Sequence, residues 1–157
     1  MSKRGIVIAI AVAAILLLGF VGYKLIIPDE YVPAEDEIAL RIQLDTKEDI
    51  GLLVFDYSAD GSEQSGGISN ADKSLIKHGS ELIVVWNRQE LESSSDSVEL
   101  LVQFRIITEY VEPNYENIYS EEISKYIDPV LWEAHFGEAY DITITGDKIG
   151  GYEAVLN

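Results

Sequence analysis

Val98–Tyr110, VELLVQFRIITEY, decides the fold. Val98, Leu100, Val102, Phe104 and Ile106 stand at every second position, with Glu99, Gln103, Arg105 and Glu109 between them. Successive side chains of a strand point to opposite faces, so this spacing predicts a half-buried β-strand with its apolar row inward. A helix would need its apolar residues three and four apart.

The same period runs outward in both directions. Upstream, Ile38, Leu40, Ile42 and Leu44 oppose Arg41, Gln43 and Asp45; Ile50 to Tyr57 is apolar on both faces; Leu82, Val84 and Trp86 form another row. Downstream, Val130, Trp132, Ala134 and Phe136 alternate with Glu133 and His135, and Tyr140, Ile142 and Ile144 with Asp141, Thr143 and Thr145. Tyr152, Ala154 and Leu156 close the chain, after turn residues Gly146-Asp147 and Gly150-Gly151. One helical signal interrupts the series. Ser120 is placed to cap a turn that begins Glu121-Glu122, with Ile123, Tyr126 and Ile127 on one face and Pro129 as the stop. Seven strands and one short helix predict an all-β, immunoglobulin-like β-sandwich, with Trp86, Phe104 and Trp132 in its core.

Residues 1–27 read differently. Gly5 to Tyr23, GIVIAIAVAAILLLGFVGY, is nineteen residues without a charge, preceded by Lys3 and Arg4. A helix of that length spans about 30 Å, the thickness of a bilayer's hydrocarbon core. No small-x-small cleavage site follows, so the segment reads as a signal-anchor helix that stays in place. The positive-inside rule puts the N-terminus in the cytoplasm and the bulk of the chain outside, as a single-pass protein of the cell membrane. Residues 28–37, PDEYVPAEDE, form an acidic, proline-containing spacer, and 38–157 the extracytoplasmic domain.

Three of the eleven basic residues precede Pro28, so residues 28–157 carry 28 acids against eight bases, a formal charge of −20. That field opposes nucleic acid and anionic bilayer surfaces and favours cations, meaning Ca²⁺ or basic proteins. The chain has no cysteine, which excludes disulfides, thiolate catalysis and cysteine-ligated zinc.

Candidate chemistry is sparse. Ser74-Leu75-Ile76-Lys77 has the spacing of serine–lysine hydrolases but lacks their partner motifs. The stretch 58–74, SADGSEQSGGISNADKS, reads as a long mobile loop, because Ile68 is its only large aliphatic residue. Asp56, Asp60, Glu63 and Asp72 in and beside it are candidate ligands for Ca²⁺, although Ser58 and Gly67 break the EF-hand pattern. Glu133 and His135 share a strand face. Residues 108–128 hold four tyrosines among six acids, and Tyr110, Tyr115, Tyr119 and Tyr126 make a candidate interaction surface. The expectation is a non-catalytic binding module of a bacterial envelope, with an envelope protein or glycan as partner. Alternatives are a calcium- or glycan-binding domain using 58–74, or a hydrolase whose carboxylates meet only in the fold.

Overall fold

The computed structural model describes residues 31–114 and 116–157. The candidate membrane span lies outside them. Among the described residues no helix is long and apolar enough to cross a membrane. Val32–Asn157 forms one compact unit. Its first residues are tied down: Glu37 donates its backbone N–H to Ala34 O at 3.0 Å, and Ala34 donates to Glu37 Oε2 at 2.9 Å.

The chain is all-β, in two sheets. Its strands are β1 Glu37–Thr46, β2 Leu52–Ala59, β3 Ser62–Ile68, β4 Glu81–Asn87, β5 Ser97–Ile107, β6 Ser124–Tyr126, β7 Val130–His135, β8 Ala139–Asp147 and β9 Gly151–Leu156. One sheet has the order β4-β1-β8-β9; the other runs β3-β2-β5-β6, with β7 also paired to β5. All pairings are antiparallel except β1 with β8, which run parallel from Ala39↔Ala139 to Thr46↔Gly146.

The alternating rows meet between the sheets. Ile38, Leu40, Ile42 and Leu44 of β1 face Leu53, Phe55 and Tyr57 of β2 and Leu100, Val102, Phe104 and Ile106 of β5 in one continuous core. Aromatic rings bridge the layers on both sides. Trp86 of β4 lies 5.2 Å from the Tyr57 ring and edge-on to Phe55 at 6.3 Å, while Trp132 of β7 lies 5.9 Å from Tyr140 of β8. Trp86, Phe104 and Trp132 are all buried. The two-faced apolarity of β2 also has a cause. Leu52 and Val54 point away from the main core and join Ile107 in a second small cluster, covered by Val111, Tyr119 and Ile123.

Two expectations are overturned, and both raise the strand count from seven to nine. The stretch 58–74 is not a long loop. Asp60 (φ 49°) and Gly61 (φ 91°) make a two-residue turn of the kind that twists with its strands, and Ser62–Ile68 returns as β3 in register with β2 from Ala59↔Ser62 to Leu53↔Ile68. β3 is polar because it is an edge strand with one neighbour. Its Gly66 sits under the Phe55 ring, where a Cβ would come within 2.4 Å of Phe55 Cζ. The helix expected after Ser120 is also absent. Ser120 does cap a single turn, its Oγ accepting the Glu122 N–H at 3.4 Å and its backbone carbonyl the Ser124 N–H at 3.0 Å, but the chain then extends into β6. The open edge of Arg105–Ile107 takes it as a strand, and that pairing outweighs a weak helical preference.

Trp86→Ala should cost about 3–5 kcal/mol, the range for emptying a large aromatic site in a core. Urea denaturation of the full chain in detergent measures it; an unchanged midpoint would show that the ring does not hold the sheets together.

Candidate functional site

The inner row of β5 fills the core, so its outer row builds a surface. Register places Glu63, Ser58, Leu101 and Leu131 side by side across β3, β2, β5 and β7. The next row holds Ser65, Asp56 and Gln103, and the next Gly67, Val54, Arg105 and Tyr126. A groove of about 430 Å³ runs along Asp56, Ser58, Glu63, Ser65, Leu101 and Gln103. Leu101 is 38% exposed and its cross-strand partner Leu131 56%.

The segment after β5 folds back over the same face. Thr108 N–H bonds Ile123 O at 2.9 Å, and Asn117 Nδ2 reaches Ser65 Oγ on β3 at 2.8 Å. This cover makes Arg105 a buried residue, only 6% exposed. Its guanidinium carbon lies 5.0 Å from the Tyr126 ring centre and 5.4 Å from that of Tyr119, and its Nη1 donates to Tyr126 Oη at 2.9 Å. Two of the four candidate tyrosines thus converge on one arginine. Tyr110 lies apart, its hydroxyl 3.3 Å from Glu112 Oε2, and Glu112 pairs with Lys73. Tyr115 lies outside the described residues. The sequence pattern marked Arg105 only as an outward-facing residue.

The candidate calcium ligands are spread along one hairpin and the loop after it. Asp56 and Glu63 border the groove, and Asp60 occupies the hairpin turn. Asp72 closes a local turn instead, accepting from the Ser74 hydroxyl at 2.6 Å and its N–H at 3.0 Å; the hydroxyl, then the N–H, hold its carboxyl below the ordinary value. Among the described residues no group of three or more potential metal ligands comes together. Ser74 and Lys77 do not pair either. Lys77 Nζ lies 2.7 Å from Asp49 Oδ2, and the other oxygen of Asp49 accepts the His78 N–H at 2.9 Å. Lys77 first, then His78, hold the Asp49 carboxyl well below the usual carboxylate range. Glu133 takes a hydrogen bond from Ser97 Oγ at 2.9 Å and faces Glu99 across the strands, while His135 donates its N–H to Tyr140 Oη at 2.8 Å.

No protein-family model and no curated protein matches the chain. Among solved structures it is similar to the NMR structure of a protein from Eubacterium rectale, at 10% identity and a TM-score of 0.42, over 78% of this chain and 89% of that one. It is also similar to part of pneumolysin (9% identity, TM-score 0.38) and of the human-specific toxin intermedilysin (12%, 0.33). The match covers 77% and 78% of this chain but only 23% and 24% of those two.

Tyr57 lies beneath the groove, with its ring against Trp86 and its hydroxyl 3.0 Å from Gln64 Oε1 and 3.3 Å from Glu90 Oε1. Burial, then the Glu90 carboxylate, pushes its phenol up to about 12. The folded chain therefore keeps a proton that an unfolded tyrosine sheds near pH 10. This contribution to stability is complete below about pH 10 and falls as pH rises towards 12. A phenolate absorbance titration should show Tyr57 among the late-ionising phenols, and Tyr57→Phe should remove one equivalent of that late fraction. An unchanged late fraction would contradict the assignment.

Proposed function

We propose that this chain is a single-pass, membrane-anchored binding module of a bacterial envelope, non-catalytic, whose extracytoplasmic domain docks an envelope protein through the outer face of the β5 sheet. The observation that carries the reading is the Leu101–Leu131 pair. A solvated face of an antiparallel sheet ordinarily presents polar side chains. Here two leucines stand exposed side by side on such a face, Leu101 on the central strand β5 and Leu131 on the edge strand β7, with the polar groove beside Leu101 and Tyr126, 61% exposed, further along the same face. An apolar centre with a polar rim and an exposed aromatic is the composition of recognition surfaces. The charge of −20 on residues 28–157 favours a basic partner through long-range attraction.

Anchoring rests on the sequence. The uncharged run Gly5–Tyr23 after Lys3 and Arg4 supports a membrane span with the N-terminus in the cytoplasm and residues 38–157 outside. A glycan is the second reading. It is favoured by the groove beside Leu101, where Asp56, Ser58, Glu63 and Gln103 offer the mixed donors and acceptors that sugar hydroxyls use. The immunoglobulin-like description of the fold is proposed in its broad sense of two sheets packed face to face. The order β4-β1-β8-β9 and its parallel pair distinguish this sandwich from the constant-type immunoglobulin arrangement.

Protease added outside intact cells that make the full chain should remove the β-domain and leave an N-terminal fragment in the membrane. A domain protected in intact cells and cut only after lysis would contradict the topology.

A further inference from the structure

Beside Arg105 the β5 face holds a cavity of about 390 Å³, whose lining includes Asn117, Tyr119, Glu121, Ser124 and Tyr126. We propose that this cavity is a binding site for the carboxylate of a small organic acid, held by the Arg105 guanidinium. The inference deepens the reading of the β5 face as a recognition surface and rests on it.

A buried guanidinium is costly unless its charge and its donors find partners, and in proteins the usual partner is a carboxylate. Among the described residues no carboxylate forms an ion pair with Arg105. One of its donors goes to the Tyr126 hydroxyl, and its Nε is buried without an acceptor. The two tyrosine rings offset part of the desolvation through their faces but accept no further N–H. Ser124 shows the same deficit. Its Oγ is buried with no hydrogen-bond partner, and its strand register, opposite Ile107, puts it on this face, two residues from Tyr126. The Tyr126 oxygen accepts from Arg105, so its own proton is free to be donated onward. Guanidinium Nε–H, serine hydroxyl and phenol hydroxyl together leave three donors on this face without an acceptor among the described residues.

A donor set of this kind selects an anion, and the surroundings select which. A carboxylate is planar and singly charged, and two of its oxygens match a guanidinium edge. A phosphate dianion would bring a second negative charge to an already acidic chain, beside Glu121, with only Arg105 as a cation in the lining. The cavity volume falls within the range of small-molecule sites. Glu121, an exposed residue of the lining, is the chain's own competitor for Arg105.

The test is an NMR titration of the full chain in detergent micelles with acetate and with glucuronate. Methyl glucuronate ester and inorganic phosphate at matched ionic strength serve as controls. The proposal predicts saturable shifts of the Arg105 Nε–H and of the Ser124 and Tyr126 amides with both carboxylates, and none with the ester or phosphate. Ser124→Ala and Arg105→Lys should each weaken binding roughly 10-fold, as loss of a hydrogen bond to a charged group does. Ser124→Ala removes only a hydroxyl, so it serves even where a change at Arg105 disturbs folding. Equal shifts with ester or phosphate, unchanged affinity in both variants, or no saturable shift would overturn the proposal. So would binding that appears only in Glu121→Gln, because the natural occupant would then be Glu121. The titration reads the cavity alone, whereas surface proteolysis reads the anchored module, so failure of one is distinguishable from failure of the other.

Discussion

Strand β5 is the constraint on which the rest depends. Its eleven residues are committed on both faces and both edges. Val98, Leu100, Val102, Phe104 and Ile106 fill the space between the sheets. One edge pairs with β2 over eight residues; the other takes β7 along its first half and β6 along its last three residues. The chain bridges from β6 to β7 without losing the edge, because Ile127 donates its N–H to Phe104 O at 2.9 Å. A one-residue slip would place the inner row in water and carry Arg105 into the core, so the burial of the inner row fixes the register. The positions of Leu101, Gln103 and Arg105 on the outer face follow from that same register.

The second sheet holds this arrangement closed. Its central strand β1 joins three distant parts of the chain, pairing with β4 on one side and with β8 on the other. The parallel β1–β8 ladder ties residue 39 to residue 139, a contact that no local signal could supply. Aromatic contacts at Trp86 and at Trp132 then couple the layers on both sides of β1. The groove is carried by strands, and the Arg105 cavity by strands β5 and β6 together with the segment 108–123 that returns over them. The lining of the groove is accordingly set by pairing register, and rigid elements position side chains more precisely than loops do.

The strong strands were legible in the sequence because each buries a period-two row. What was missed lay where that signal fails. β3 has no apolar row, being an edge strand whose inner position Gly66 yields its space to the Phe55 ring; its trace in the sequence is the Asp60-Gly61 turn, which outweighs composition there. β6 is three residues long, too short to show any period, and it forms because β5 leaves an edge open. Arg105 was legible as outward-facing but not as buried. Its burial comes from residues 108–123 returning over the face, a tertiary fact that alternation along one strand does not encode. The tyrosine-rich stretch divides between two places. Tyr119 and Tyr126 close on Arg105, whereas Tyr110 joins the Glu112–Lys73 pair elsewhere.

The central claim is that the outer face of the β5 sheet, and not that of the β1 sheet, meets the partner. Photo-crosslinking residues placed singly at Leu131 and at Ile83, exposed positions on the outer faces of the two sheets, compare them directly in the full chain in the cells that make it. The account predicts a discrete crosslinked adduct from position 131 and none from position 83. Adducts from position 83 alone, or equal adducts from both, would contradict it.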